Sequence, residues 1–226
     1  MSLFFPASQP SFTLAPPVAL DWEAVDAGQP LAVDLDTVKN FLNIPLADHF
    51  FDDEKSAMIL VAQAAIEDHC QMVLPASTWV ANIPAFYDTI RLIKRPFQSV
   101  TKVEYVDKTT GTITTLDTSY YLTGVMAQKC GVIQRAEGVA WPDAARRLDA
   151  VRITVSAGFT VLPPAVKQAL LIAIASVDRS RADGGGSSGG GSRTVYAMRH
   201  QQGSSIIPAE AKALLNPYVY RTLGVS

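Results

Sequence analysis

The 226-residue chain has only two cysteines, Cys70 and Cys130, far apart in the chain and in no CxxC pattern. That excludes a disulfide-stapled fold and a cysteine-based zinc site, and it points to a reducing compartment. The three histidines, His49, His69 and His200, form no HxxxH or HExxH set, so no metal site is expected. No GxSxG elbow is present, and no cofactor-binding motif stands out, so no cofactor and no enzymatic activity are expected. A basic excess is also missing. Lys and Arg number 19 against 21 Asp and Glu, a net charge of −2, which is not the balance of a protein that grips phosphate backbones. No apolar run approaches the roughly 18 residues that a bilayer span needs. The first residues, MSLFFPASQP, lack the basic region and long apolar core of a secretion signal, so no membrane partner is expected.

What is present is ordinary globular composition, 48% hydrophobic and 18% charged residues, in a chain long enough to bury a core. Residues 1–32 carry Pro6, Pro10, Pro16, Pro17 and Pro30 among scattered aromatics, and read as an extended N-terminal arm. A first helix is predicted from the Asp34 cap to Pro45, with Leu35, Val38, Phe41 and Leu42 at helical spacing. A second runs from about Asp53, capped by Asp52 or Asp53, to Val73. Its stripe is Met58, Ile59, Ala62, Ile66, His69, Cys70 and Val73. The texture then turns to short β-branched segments. STWVANIP, TIRLIK, SVTKVEYVD, TITTL, YYLTG, GVIQR and VRITVSAG are separated by turn signals such as DKTTG at 107–111. Residues 77–160 therefore read as an inserted antiparallel sheet or small barrel. A third helix follows Pro163 and Pro164, and a short fourth lies between Pro208 and Asn216-Pro217. The fold class is α+β: a small bundle of three to four helices (33–75 and 163–226) with an inserted β subdomain.

On a helical wheel the third helix places Val166, Leu170, Ala173, Ile174 and Val177 on one side, while Leu171, Ile172 and Ala175 point elsewhere. Leaving a Leu or Ile in water forfeits roughly 1.5–3 kcal/mol each, so a second partner surface is expected, either the β insert or a neighbouring subunit. The helix runs into the Gly/Ser-rich stretch of the 183–205 loop. Gly186 and Gly191 have the spacing of a phosphate-binding loop, but Ser192-Arg193 stands where Lys and Ser/Thr are required, and the stretch follows a helix rather than a strand. It is either an engineered tether or a natural loop that orders against a partner. Its flank, with Arg193, Tyr196 and Arg199, is a partner-contact candidate.

Several phrases, in this order, carry a family resemblance: VDLDTVKNFLNI (33–44), AAIEDHCQMVL leading into STW, IRLIKRPFQSVTKVEYVD (90–107), GVAWP (138–142), AVRITVSAGF (150–159), LPPAVKQALLIAIASV and IPAEAKALLNPY. Together the chain resembles the head-tail connector (adaptor, or head-completion) proteins of long-tailed bacteriophages and phage-like particles. The resemblance implies a structural subunit of a homo-oligomeric ring, dodecameric in the family, set beneath the portal at the head-tail junction of a virion assembled in bacterial cytoplasm. Its partners would be further copies of itself, the portal protein, and a head-closure (stopper) or tail-terminator protein. DNA would pass through the lumen without sequence-specific binding, which suits a near-neutral chain. Carried onto this sequence, Leu171, Ile172 and Ala175 become ring-wall candidates, and Tyr218, Tyr220, Arg221 and Leu223 become portal-docking candidates. The long arm and the glycine-rich insert depart from the family pattern.

Two alternatives compete. A ligand-binding module would use an aromatic groove on the β insert lined by Trp79, Tyr105, Tyr120 or Tyr121. An enzyme would need a concave site at the helix-sheet junction with converging polar groups.

Overall fold

The computed structural model describes residues 21–25, 30–126, 129–184 and 206–220, the side chains of 180–184 excepted. The first described segment, β1 (Asp21–Ala24), belongs to the stretch expected to be an arm, and it lies along the sheet as an edge strand. Helices α1 (Leu35–Phe41) and α2 (Asp52–Cys70) follow. Seven strands come next: β2 (Ser77–Ile83), β3 (Thr89–Leu92), β4 (Phe97–Val106), β5 (Ile113–Thr115), β6 (Tyr121–Val125), β7 (Gly131–Arg135) and β8 (Val151–Ala157). Helices α3 (Pro164–Gly184) and α4 (Ala209–Leu215) complete the order, with a 3-10 turn at Asn216–Tyr218.

The helix ends obey local chemistry. Asp34 caps α1 by accepting from the Thr37 amide at 2.9 Å, and α1 stops well before Pro45 because Asn43 turns left-handed (φ 58°). The expected Asp cap on α2 is absent. Phe51 holds the cap position without a side-chain bond, while Asp52 turns instead to Lys39 and His49. Helix α2 ends at Gln71, also left-handed (φ 55°).

The strands do not close into a barrel. They form two antiparallel sheets, one of order β1-β2-β8-β4-β5 and one of order β3-β7-β6. Closure fails at β5, a three-residue strand exposed throughout, which is too short to recruit another neighbour. Strand β8 is central, and its Val151, Ile153, Val155 and Ala157 are fully buried. A regular strand places alternate residues on opposite faces, which would set Val100 against Val103. Register shifts between Phe97 and Ser99 and between Val100 and Lys102 break that period, so Phe97, Val100 and Val103 all pack on the sheet core.

Two apolar clusters result. One joins the sheets around Ile83, Leu92, Ile133 and Ile153. The other joins the helices around Ile59, Ile66, Leu74, Leu170, Ile174 and Leu215. Helix α3 touches α1, α2 and α4. The incoming chain is fixed to the helical cluster by fully buried Gln63, whose Oε1 accepts from the Ala32 amide (2.9 Å) and whose Nε2 donates to the Pro30 carbonyl (3.3 Å).

The seam between the clusters is polar and well satisfied. The Val73 amide donates to the Arg95 carbonyl (2.7 Å), the Gly158 amide to the Pro96 carbonyl (2.8 Å), and the Phe159 amide to the Leu74 carbonyl (2.9 Å). Gly158 sits at φ 112°, where an added Cβ would lie 2.2 Å from the Pro75 carbonyl oxygen, so glycine is required there. Glu67 accepts from the Leu74 amide (2.9 Å), and burial pushes its carboxyl above the usual range despite that bond.

Arg95 is buried (7% exposed), and its Nε donates to the Gln71 carbonyl at 2.8 Å. Its Nη2 donates to the Cys70 carbonyl and, at 3.5 Å, to that of Tyr218. These close the orphan carbonyls at the end of α2, where a cation also suits the helix dipole. Arg95→Lys is expected to cost about 2 kcal/mol, because an ammonium cannot span the same carbonyls, and Arg95→Met about 2–4 kcal/mol. Urea unfolding checks both. Glu67 has a folded pKa above its unfolded one, so its ionisation opposes folding at neutral pH. That penalty vanishes once both states are protonated. Glu67→Gln is therefore expected to raise the melting temperature at pH 7 and to lose that advantage below about pH 4. Thermal melts across pH 3–8 read this directly.

Candidate assembly interface

Helix α3 was expected to need a second partner because three apolar residues lay off its main stripe. The structure corrects this for Leu171, which is 7% exposed and belongs to the helical core of its own chain. Helix α4 packs on α3, and Ile207, Ala211 and Leu215 are all buried in the same cluster. Ile172 and Ala175 are half-buried, with Ile172 packed against that cluster, so they stay on the rim with part of their surface in water.

Of the docking candidates, Tyr218 and Tyr220 are half-buried and engaged within the chain. The Tyr218 ring meets Phe159 edge-on at 6.5 Å. The Tyr220 amide donates to the Cys70 carbonyl (3.2 Å), and its ring lies 4.6 Å from the Arg95 guanidinium carbon. Together they bind the C-terminal segment to the end of α2. Arg221 and Leu223 lie outside the described residues, as do Arg193, Tyr196 and Arg199.

At this junction lies a cavity of about 550 Å³, lined by Met72, Arg95, Pro96, Lys129, Phe159 and Asn216–Val219. Lys129 sits 5.6 Å over the Phe159 ring. The lining carries two cations, an amide and a phenol, with no carboxylate, imidazole, thiol or aliphatic hydroxyl. Beside it, burial pushes the Cys70 thiol up to about 11 although Arg95 draws it down, so the sulfur stays protonated and inert at neutral pH. A concave junction thus exists as an enzyme would need, but its walls offer no acid-base pair. Among the described residues no three His, Cys, Asp or Glu cluster in a way that could hold a metal. No described helix is long and apolar enough to cross a membrane. His69 is half-buried rather than in the core, and His49 is exposed and paired with Asp52 (2.8 Å).

The four aromatics that a ligand-binding sheet would use are all at least partly covered by their own chain. Tyr121 is buried, and Trp79, Tyr105 and Tyr120 are half-buried against the sheet core. Trp79 is spanned by the Lys94 ammonium at 3.6 Å, and Tyr105 meets Phe86, which in turn stacks on Trp141 at 4.7 Å.

Sequence reading passed over the most exposed aromatics among the described residues. In the connection between α1 and α2, Phe50 is 84% and Phe51 49% exposed, and their rings meet edge to face at 4.7 Å. The available signal was FF followed by DDE at a helix start, which reads as a cap and not as a surface. Beneath them Lys39 is 2% exposed. Its ammonium donates to the Asp48 carbonyl (2.8 Å) and the Leu46 carbonyl (3.4 Å) and pairs with Asp52 Oδ1 (2.5 Å). The Asp52 carboxyl is held below its usual range by Lys39 first and His49 second.

No protein-family model and no curated protein sequence matches the chain. Solved structures do. A chain from the neck of an empty gene transfer agent particle, computed with C6 symmetry, superposes with a TM-score of 0.65 at 19% identity, covering 90% of this chain and 98% of that one. A chain from the virion of a native gene transfer agent particle gives 0.65 at 20%, covering 90% and 97%. A chain from the neck of the native particle, computed with C12 symmetry, gives 0.62 at 20%, covering 90% and 98%. This chain therefore shares its fold, over nearly its whole length, with chains found in the necks and virion of gene transfer agent particles.

Proposed function

We propose that the chain is a structural, non-enzymatic subunit of the neck of a tailed phage or phage-like particle. In this reading it is an adaptor that forms a ring beneath the portal, bridges portal to neck or tail, and surrounds the passing DNA. The observation that carries the reading is the end-to-end fold likeness to chains of neck assemblies with C6 and C12 symmetry. The near-neutral charge supports it, since a conduit must not hold the DNA it passes. So does the lack of an acid-base pair in the junction cavity.

Within this reading, Ile172 and Ala175 on the rim of α3 face the neighbouring subunit, and the C-terminal segment around Tyr218 and Tyr220, continuing through Arg221 and Leu223, meets the portal. The flank with Arg193, Tyr196 and Arg199 meets another neck component. The division into an arm (1–32), a helical part (33–75 and 163–226), a β insert (77–160) and a Gly/Ser-rich loop (183–205) belongs to the same proposal.

Native mass spectrometry and negative-stain imaging of the chain, alone and with portal protein, test it. Rings of about twelve copies are the expected result. A monodisperse monomer at high concentration and alongside portal would sink the reading. Ile172→Asp and Ala175→Arg are expected to block assembly while costing less than about 2 kcal/mol of fold stability, because both sites already touch water. Unfolding of both variants would assign this rim to the monomer core.

A further inference from the structure

Exposed, contiguous aromatic surface marks a contact site when the backbone beneath it is held rigid. Phe50 and Phe51 meet that condition: their rings touch at 4.7 Å, and the buried ammonium of Lys39 fixes the connection that carries them through the Asp48 carbonyl and the Asp52 carboxylate. The residues that follow are acidic: Asp52 in the Lys39 pair, exposed Asp53, and half-buried Glu54.

The junction cavity has the opposite character. Met72, Phe159, Pro217 and Val219 give it apolar walls, and Arg95 and Lys129 give it positive charge. The two surfaces complement each other in polarity and in sign. They also sit at opposite ends of one rigid element, since Phe51 precedes the 19-residue α2 and Met72 follows it, about 28 Å away at 1.5 Å per residue. They cannot meet within one molecule.

We propose that Phe50 and Phe51 of one copy seat in the Met72–Arg95–Phe159–Tyr218 cavity of a second copy, with Asp53 facing Lys129. The contact is head-to-tail, and contacts of that kind propagate around a ring when the rotation closes. Its closure rests on the ring reading above. The contact itself names which surfaces touch.

Sedimentation of the full chain over a concentration series, with native mass spectrometry of the assembled species, separates the two. Phe50→Ser combined with Phe51→Ser is expected to weaken self-association at least about tenfold without lowering the melting temperature, since both rings stand largely in water and serine suits the cap position that Phe51 holds. Asp53→Lys and Lys129→Glu should each weaken it by about threefold or more, less so at high salt, and their combination should recover most of the loss. Undiminished rings in the Phe50→Ser/Phe51→Ser chain overturn the contact and leave the ring reading standing. A wild-type chain that never self-associates, even with portal protein present, overturns both.

Discussion

The carbonyl of buried Cys70 ends helix α2 inside the protein, where an unpaired backbone oxygen is costly, and that of Gln71 follows it toward the surface. Both accept from the Arg95 guanidinium, and Cys70 also accepts from the Tyr220 amide. Arg95 extends from the link between β3 and β4, and its backbone carbonyl binds Val73. One side chain thus joins the end of a helix, the entrance to the sheet and the C-terminal segment. A planar fork with several donors can do this, and a lysine cannot. The helical core, the sheet core and the cavity between them are all placed by that junction.

The same junction explains why the cavity is apolar and positive. Burial draws the guanidinium's pKa down, but an arginine starts so high that it keeps its charge, and the chain's last described turn lies over it through Tyr218 and Tyr220. At the far end of α2 the arrangement is reversed in sign. Lys39 is buried, and the groups that satisfy it, the carbonyls of Leu46 and Asp48 and the Asp52 carboxylate, hold a loop whose apolar side chains face water. Helix α2 is therefore a spacer between two built surfaces, each organised by a buried cation.

Much of the fold was legible locally. Each β-branched segment from STWVANIP to VRITVSAG holds a strand, because alternation and bounding turn residues are local properties. The Asp107–Gly111 turn forms as DKTTG suggested, with the Asp107 carboxylate accepting from the Thr109 and Thr110 amides and Gly111 at φ 68°. The candidate interface was less legible. Leu171 looked surplus on a wheel, but a wheel cannot register that α1, α2 and α4 all pack against α3 in the cluster that buries it. The pairing of strands into two sheets, rather than a barrel, depended on which edges meet.

The sequence by itself determined where the helices and the strands from β2 onward lie, the absence of metal-binding and catalytic motifs, and the charge balance, because each follows from residue type and spacing within a few positions; β1 is a strand only because β2 offers it an edge. Tertiary structure alone decided which apolar residues stay in water and which cations are buried. Lys39, Arg95, Phe50 and Phe51 have no special spacing in the chain. Arg95 is placed by groups 24 to 123 positions away and Lys39 by a loop that folds back over it within 13, and burial is a property of that assembly and not of spacing in the chain.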